Sequence, residues 1–241
     1  MKDKMLLSAV LALVAIFFVQ STPAATKTST QHGQAKVVSI SGSATFRHAN
    51  GESGSLKVGQ ILTEGASIST SPVATVELDL GVNGQSLTIS KDSTVAIDQL
   101  DFTGSGADTV INTRLNLTKG GLYANVKKLA ANSKYEIKTA NGVAGVRGTS
   151  LSILSNGVAH VWQGSLSIVH FVNGVASQPF LVPAGQTVYP PGTPGGVPTL
   201  VPLPAEMERP DTAFDEQPDR ERLPNTTTFD KIVKGKHNSA K

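Results

Sequence analysis

Residues able to hold a metal ion are scattered through this sequence rather than grouped. The five histidines are His32, His48, His160, His170 and His237, and no two of them are three or four positions apart, the spacing typical of paired metal ligands. His160 and His170 fall on neighbouring predicted strands and could approach each other across a hairpin. We interpret them as polar strand residues rather than as a metal site, and the sequence contains no cysteine.

Catalytic carboxylates are the next possibility, because glycoside hydrolysis needs two of them facing each other across a cleft. The candidates are Glu77, Asp79, Asp98, Asp101 and Asp108. Glu77 and Asp79 alternate with apolar residues, a pattern that predicts the solvated face of a strand. Ser150 follows Gly148-Thr149 and lacks the G-x-S-x-G pattern of a hydrolase nucleophile. We therefore expect no catalytic residue, no cofactor and no metal, and a protein that is not an enzyme.

The segments that would position such residues have the period of β-strands. Residues 76–80 alternate apolar and polar side chains, and similar short runs recur as far as residue 168. Asn-Gly, the strongest short hairpin signal, occurs five times, at positions 50, 83, 141, 156 and 173. Residues 126–132 could form one or two helical turns. The pattern predicts an all-β domain of stacked short antiparallel strands, and it fits a sandwich, a barrel or a solenoid-like β-coil equally well.

The two ends of the chain differ from this body. Residues 1–25 combine two lysines, an apolar run and small residues around Ala24-Ala25, which is typical of a secretory signal peptide. Retention as a membrane anchor is the alternative, although the run is shorter than the roughly 20 residues of a spanning helix. Eleven of the thirteen prolines follow residue 178, so we predict a β domain over residues 36–188 and a mostly disordered, proline-rich then charged tail over 189–241.

Charge is distributed unevenly although the net charge is only +3. Residues 114–147 contain one acid, Glu136, and seven basic residues: Arg114, Lys119, Lys127, Lys128, Lys134, Lys138 and Arg147. Residues 206–222 contain seven acids and three arginines. We hypothesise that the acidic tail covers the basic region or that both bind a charged envelope partner; the alternative is that both are simply solvated. Aromatic residues are few and scattered, so nucleic acid is not an expected partner.

Two motifs resemble a known family. Residues 58–70 read VGQILTEGASIST, and residues 137–153 read IKTANGVAGVRGTSLSI, with a T-x-x-G-x-x-x-x-R-G-T core from Thr139 to Thr149. Together with the strand-like segments between them, they resemble the FecR domain, the periplasmic module of iron-dicitrate sensor proteins. The resemblance implies an all-β fold over residues 36–188. Regulatory members of the family carry a cytoplasmic anti-sigma segment, which the four residues before the apolar run are too few to form.

The motif residues have physical interpretations of their own: Gly59, Gly65, Thr139, Gly142, Arg147, Gly148 and Thr149. We expect Gly59 and Gly65 at turns, with positive φ or a close backbone approach. For Arg147 we favour a structural guanidinium that binds backbone carbonyls or a carboxylate, with ligand binding as the alternative.

These observations predict a free-standing protein of the periplasm or cell surface that touches the membrane only through its signal peptide. Its expected role is a binding or scaffold module for an envelope protein or a cell-wall glycan. The alternatives are a signalling regulator that acts in trans on a receptor or envelope sensor, and a hydrolase of cell-wall polymer. Fold alone cannot choose among them.

Overall fold

The computed structural model describes residues 29–205 and residue 207. The predicted signal peptide over 1–25 and most of the predicted tail lie outside these residues. The described part is built from strands, with two single-turn 3-10 helices at Gly81–Asn83 and Gly106–Asp108. Neither of these helices is long or apolar enough to cross a membrane.

Twenty strands follow one another along the chain. They are β1 (Gln31–His32), β2 (Ala35–Ser41), β3 (Ala44–Arg47), β4 (Ser53–Ser55), β5 (Ile61–Leu62), β6 (Ser67–Thr70), β7 (Thr75–Asp79), β8 (Ser86–Ile89), β9 (Thr94–Thr103), β10 (Val110–Lys119), β11 (Gly121–Asn125), β12 (Lys134–Thr139), β13 (Gly142–Val146), β14 (Ser150–Leu154), β15 (Ala159–Gln163), β16 (Ser165–Val172), β17 (Val175–Ala176), β18 (Phe180–Pro183), β19 (Gln186–Tyr189) and β20 (Thr199–Pro202).

The strands form two sheets that pack face to face. The nine-stranded sheet has the order β20-β19-β15-β14-β11-β8-β7-β2-β5. The eleven-stranded sheet has the order β17-β16-β13-β12-β10-β9-β6-β3-β4, with β1 added to β9 and β18 added to β16. All pairs are antiparallel except β10 with β12, which run parallel in register from Asn112 opposite Lys134 to Leu117 opposite Thr139. The predicted all-β class is confirmed, and the two-sheet arrangement identifies it as a sandwich.

One apolar core lies between the sheets. Leu115 and Ile137 of the eleven-stranded sheet and Leu122 and Ile153 of the nine-stranded sheet belong to the same buried cluster. These positions alternate along each strand with outward-facing residues, as the period of two predicts. The alternation therefore distinguishes inward from outward positions on both sheets.

The shortest connections between the two sheets consist of a single glycine. Gly120 alone links β10 to β11, and Gly164 alone links β15 to β16, with φ of 74° and 79°. A Cβ at Gly164 would lie 2.1 Å from the carbonyl oxygen of Gly148, so a side chain has no room there. Both the left-handed backbone and the close contact require glycine.

The Asn-Gly pairs connect hairpins, as predicted. Four of the five lie between two antiparallel paired strands: β3 with β4, β7 with β8, β14 with β15, and β16 with β17. At the fifth, Asn141 ends the β12–β13 turn and Gly142 is already the first residue of β13. At Asn173-Gly174 both residues have positive φ, 52° and 78°, as a type I′ turn requires. The helical turns considered for residues 126–132 are absent, since this segment is irregular with a turn at 131–132.

The ordered body extends past the predicted boundary at Val188. β19 runs to Tyr189, and β20 pairs with it from Thr199 to Pro202, within the proline-rich stretch that we predicted to be mostly disordered. This expectation was wrong for residues 199–202 because β20 is an edge strand. At an edge, one side of the strand has no neighbouring strand, so the N–H that proline lacks is not needed there.

Candidate binding surface at a sheet crossing

The T-x-x-G part of the motif forms the β12–β13 hairpin. Thr139 is buried, its Oγ1 donates a hydrogen bond to the Gly142 carbonyl at 3.3 Å, and the Asn141 N–H donates to the same hydroxyl oxygen at 3.3 Å. A Cβ at Gly142 would lie 2.6 Å from the Val169 carbonyl oxygen on β16. These residues therefore fix the turn and allow β16 to pair closely with β13.

The R-G-T part of the motif is the crossing between β13 in one sheet and β14 in the other. Gly148 has a φ of 68°, and a Cβ there would lie 3.3 Å from the Cα of Lys128. The buried Thr149 donates from Oγ1 to the Ser165 carbonyl at 2.6 Å, while its own carbonyl accepts from the Val126 N–H at 3.0 Å. These hydrogen bonds fix the crossing to Ser165, just after the Gly164 crossing, on one side and to Val126 in the β11–β12 loop on the other.

Arg147 does not have the structural role that we favoured. Its side chain is exposed, and it makes no hydrogen bond or ion pair with the residues that the structure describes. The backbone turns at Gly148 and buries Thr149 instead, so the guanidinium next to the turn points away from the core. A fixed backbone therefore presents a cation that has no partner among the described residues.

Three further cations lie at this end of the sandwich. Lys127 and Lys128 are exposed in the β11–β12 loop that contacts Gly148, and Lys134 is exposed at the start of β12, next to the end of β13. With Arg147 they form what we term the basic end. Four exposed cations on neighbouring segments raise the local positive potential and favour an anionic partner group.

The other predicted interaction residues lie elsewhere. Arg114 pairs with Glu136 at 3.0 Å on the outer face of the eleven-stranded sheet, and Lys119 pairs with Asp92 at 2.6 Å near the other end of β10. Lys138 is exposed in β12, two residues from Glu136 and on the same face of the strand. The predicted basic region is therefore split, and its two ion pairs are exposed ones of the kind that contribute roughly 0–1 kcal/mol.

An exposed apolar side chain lies near the basic end. Leu181 of β18 is 64% exposed and lies opposite Ser167, which in turn lies opposite Gly145 of β13. Phe171 and Val175 are 36% and 48% exposed on the same sheet, but at the β16–β17 hairpin, which lies beside the β12–β13 turn at the opposite end of β13. An apolar edge beside exposed cations is a composition found in protein interfaces.

Gly59 and Gly65 lie at turns with φ of 84° and 83°, as predicted. The Gly59 N–H donates to the Val37 carbonyl and the Gly65 N–H to the Ile97 carbonyl, both at 2.8 Å. Both glycines therefore connect loops to strands through backbone hydrogen bonds, which is a structural role.

The two candidate histidines do not meet. His160 lies on β15 in the nine-stranded sheet and His170 on β16 in the other, because the chain changes sheet at Gly164 between them. Burial lowers the pKa of His160 to about 4, and burial also lowers the pKa of His170, opposed by its hydrogen bond to the Gly157 carbonyl. Among the described residues, no group of three His, Cys, Asp or Glu side chains could hold a metal ion.

Glu77 was predicted on a solvated face, and it is buried. It points outward from the nine-stranded sheet, away from the core, yet it is only 8% exposed. Asp79 on the same strand is partly exposed. Alternation correctly placed Glu77 on the outer face, but it could not show that this face is covered.

A comparison with family models supports the resemblance carried by the two motifs. Residues 66–167, from the start of β6 into β16, match the model described as FecR protein. None of the curated proteins is similar enough to the chain to count as a relative. The match includes the hairpin and crossing motif of residues 139–149 and the end of the motif at 58–70. FecR domains are associated with envelope signalling and sensing proteins and are typically periplasmic. The chain therefore contains a FecR domain, matched over residues 66–167.

Proposed function

We propose that this chain is a non-enzymatic protein of the cell envelope, exported to the periplasm or the cell surface, whose FecR domain binds a protein or glycan partner. The observation that carries the proposal is Arg147, an exposed cation held beside a rigid crossing without a partner among the described residues. Arginine is enriched among the residues that dominate binding energy, because its planar guanidinium can donate several hydrogen bonds at once.

The surroundings of Arg147 favour a protein over a glycan. Leu181 is an exposed aliphatic side chain two strands away from β13 near its Arg147 end, and β18 is an edge strand. Edge strands can pair with an extended segment of another protein. The single tryptophan of the chain, the side chain best suited to stack on a sugar, lies on the other sheet and is half-buried.

A signalling role in trans is the second candidate, and the family match favours it. FecR domains occur in envelope sensors, so a receptor or sensor is a natural protein partner. The basic end and the apolar edge would then be the surface that contacts it. A scaffold attached to the cell wall would use the same cations on an anionic polymer.

Crosslinking and pull-down of the tagged mature protein from its native envelope test both roles. One dominant receptor or sensor supports signalling in trans, whereas enrichment of peptidoglycan or polysaccharide supports a wall-associated scaffold. Arg147→Ala should weaken capture at least about tenfold, as expected for an arginine central to an interface. Lys57→Ala, an exposed lysine in the loop between β4 and β5, is the matched control and should leave capture unchanged. Equal capture by both variants would contradict the assignment of the surface.

A further inference from the structure

The outer face of the nine-stranded sheet carries a row of polar and aromatic residues that is buried. In register across β7, β8, β11, β14, β15 and β19 lie Glu77, Thr88, Tyr123, Ser152, His160 and Thr187. Tyr123 and Ser152 are 0% exposed, Thr187 1% and His160 4%. Every flanking core residue points to the other side of the sheet, so burial of this row requires a cover on the outer face.

Several polar atoms of this row have no partner among the described residues. Thr88 Oγ1, Ser152 Oγ and His160 Nε2 are buried without a hydrogen bond, whereas His160 Nδ1 lies 2.8 Å from Thr187 Oγ1. A buried polar atom left without a partner costs about 1–3 kcal/mol. These three atoms can form hydrogen bonds with a covering segment of polypeptide, which has backbone and polar side-chain groups, but not with a purely apolar layer.

The described chain ends on this face. β20 is the edge strand of the nine-stranded sheet, and after it the Met207 N–H donates to the Pro204 carbonyl at 2.9 Å, which closes a turn. The indole Nε1 of Trp162 then donates to the Met207 carbonyl at 3.1 Å. Trp162 belongs to β15, two strands inward from β20, and its ring packs edge-on against Tyr123 at 5.8 Å. The chain has therefore turned back from the sheet edge onto the outer face.

We propose that residues 208–241 dock along the outer face of the nine-stranded sheet and cover its polar row. The row crosses six strands, which is about 24 Å at ~4.8 Å per strand. The 34 residues after Met207 could extend to about 110 Å, so length is ample. Within this segment Phe214, Leu223 and Phe229 supply apolar side chains for the rings of Tyr123 and Trp162.

The other end of the chain is less suited to this face. β1 pairs with β9 of the eleven-stranded sheet, so the first described strand lies in the opposite layer. The face also differs from the one hypothesised for the acidic tail, because Arg114, Lys134 and Lys138 lie on the eleven-stranded sheet. Docking on the nine-stranded sheet would leave these cations free for a partner.

Trp162 is the only tryptophan, so its fluorescence reports on this face alone. The mature protein is compared with a variant that ends at Met207. We expect truncation to shift the Trp162 emission to longer wavelength, to increase its quenching by acrylamide and to raise the pKa of His160 toward 6.5. A synthetic peptide of residues 208–241 should reverse these changes. Unchanged emission and quenching in a truncated variant with native circular dichroism would overturn the proposal.

A point variant keeps the test independent of truncation. Ser152→Arg places a long cation within the row and should release the segment, so that trypsin removes it about tenfold faster, a ~1.4 kcal/mol shift in docking. Ser167→Arg, on the exposed outer face of β16, is the matched control and should leave that rate unchanged. Equal cleavage rates would overturn the proposal. So would a red shift caused only by removing the residues of the mature protein that precede Ser29, or one that depends on protein concentration, since the cover would then be the other terminus or a second copy.

Discussion

The two outer faces of this sandwich are built from similar residues but have different surroundings. On the eleven-stranded sheet, Arg114, Lys138 and Ser167 are exposed, and Glu136 forms a surface ion pair. On the nine-stranded sheet, several outward-facing polar residues are buried, among them Ser152 and Thr187. The comparison shows that polar alternation specifies which residues point away from the core, whereas burial of an outer face depends on what lies over it.

The sharpest way to test this difference is to place the same charge on both faces. Ser152→Arg should lower the free energy of unfolding by about 3 kcal/mol, because it forces a cation into a fully buried site. Ser167→Arg should change it by less than ~0.5 kcal/mol, as is usual for exposed positions. Urea denaturation of the two variants measures both values, and equal losses would mean that the faces do not differ.

Acid should destabilise the protein through the buried face. The pKa of His160 is lowered to about 4 in the folded state, so between pH 6.5 and 4 the unfolded chain binds a proton that the folded chain does not. The free energy of unfolding is therefore not reduced by His160 above pH 6.5. It falls as the pH drops from 6.5 toward 4, by up to about 3 kcal/mol. Unfolding curves at several pH values should show this slope, and His160→Gln should flatten it. A slope unchanged by His160→Gln would mean that other groups cause it.

Removing the ion pair on the solvated face should have little effect. Glu136→Gln breaks the contact with Arg114, whose side chain is 45% exposed, and the expected loss is below about 1 kcal/mol. Thermal melts at low and high salt provide the check. A loss that greatly exceeds this value, and that salt does not reduce, would place the pair in a buried environment.

The smallest change is expected at the crossing. Arg147→Lys should leave the melting temperature unchanged, because no described residue accepts a hydrogen bond from the guanidinium. Capture of the envelope partner should still fall, since lysine lacks the planar set of donors. A clear drop in the melting temperature would restore the structural role that the sequence suggested for Arg147.

Local features of this fold were predictable from the sequence, and long-range ones were not. Alternation identified strands such as residues 76–80, and the Asn-Gly pairs identified the hairpins because their chemistry is contained in two residues. The sheet to which each strand belongs depends on single-residue crossings such as Gly164, which have no distinctive neighbours. For this reason the sequence allowed His160 and His170 to approach each other across a hairpin, although they lie on opposite sheets.

The candidate site was predictable in the same limited way. The residues of the motif from Thr139 to Thr149 were recognised, but the exposure of Arg147 depends on the direction in which the chain turns at Gly148. The burial of Glu77 depends on a cover that is distant in sequence. Both are properties of tertiary packing, which a pattern of residue types along one strand does not contain.

Hydroxyl-radical footprinting of the intact mature protein tests the difference between the two faces most directly. Aromatic and aliphatic side chains react according to their exposure, so Leu181 and Phe171 report on the eleven-stranded sheet and Tyr123 on the nine-stranded sheet. We predict rapid modification of Leu181 and Phe171 and protection of Tyr123 under conditions that leave the protein folded. Modification of Tyr123 as fast as that of an exposed tyrosine would show that the nine-stranded face is open, and would contradict this account.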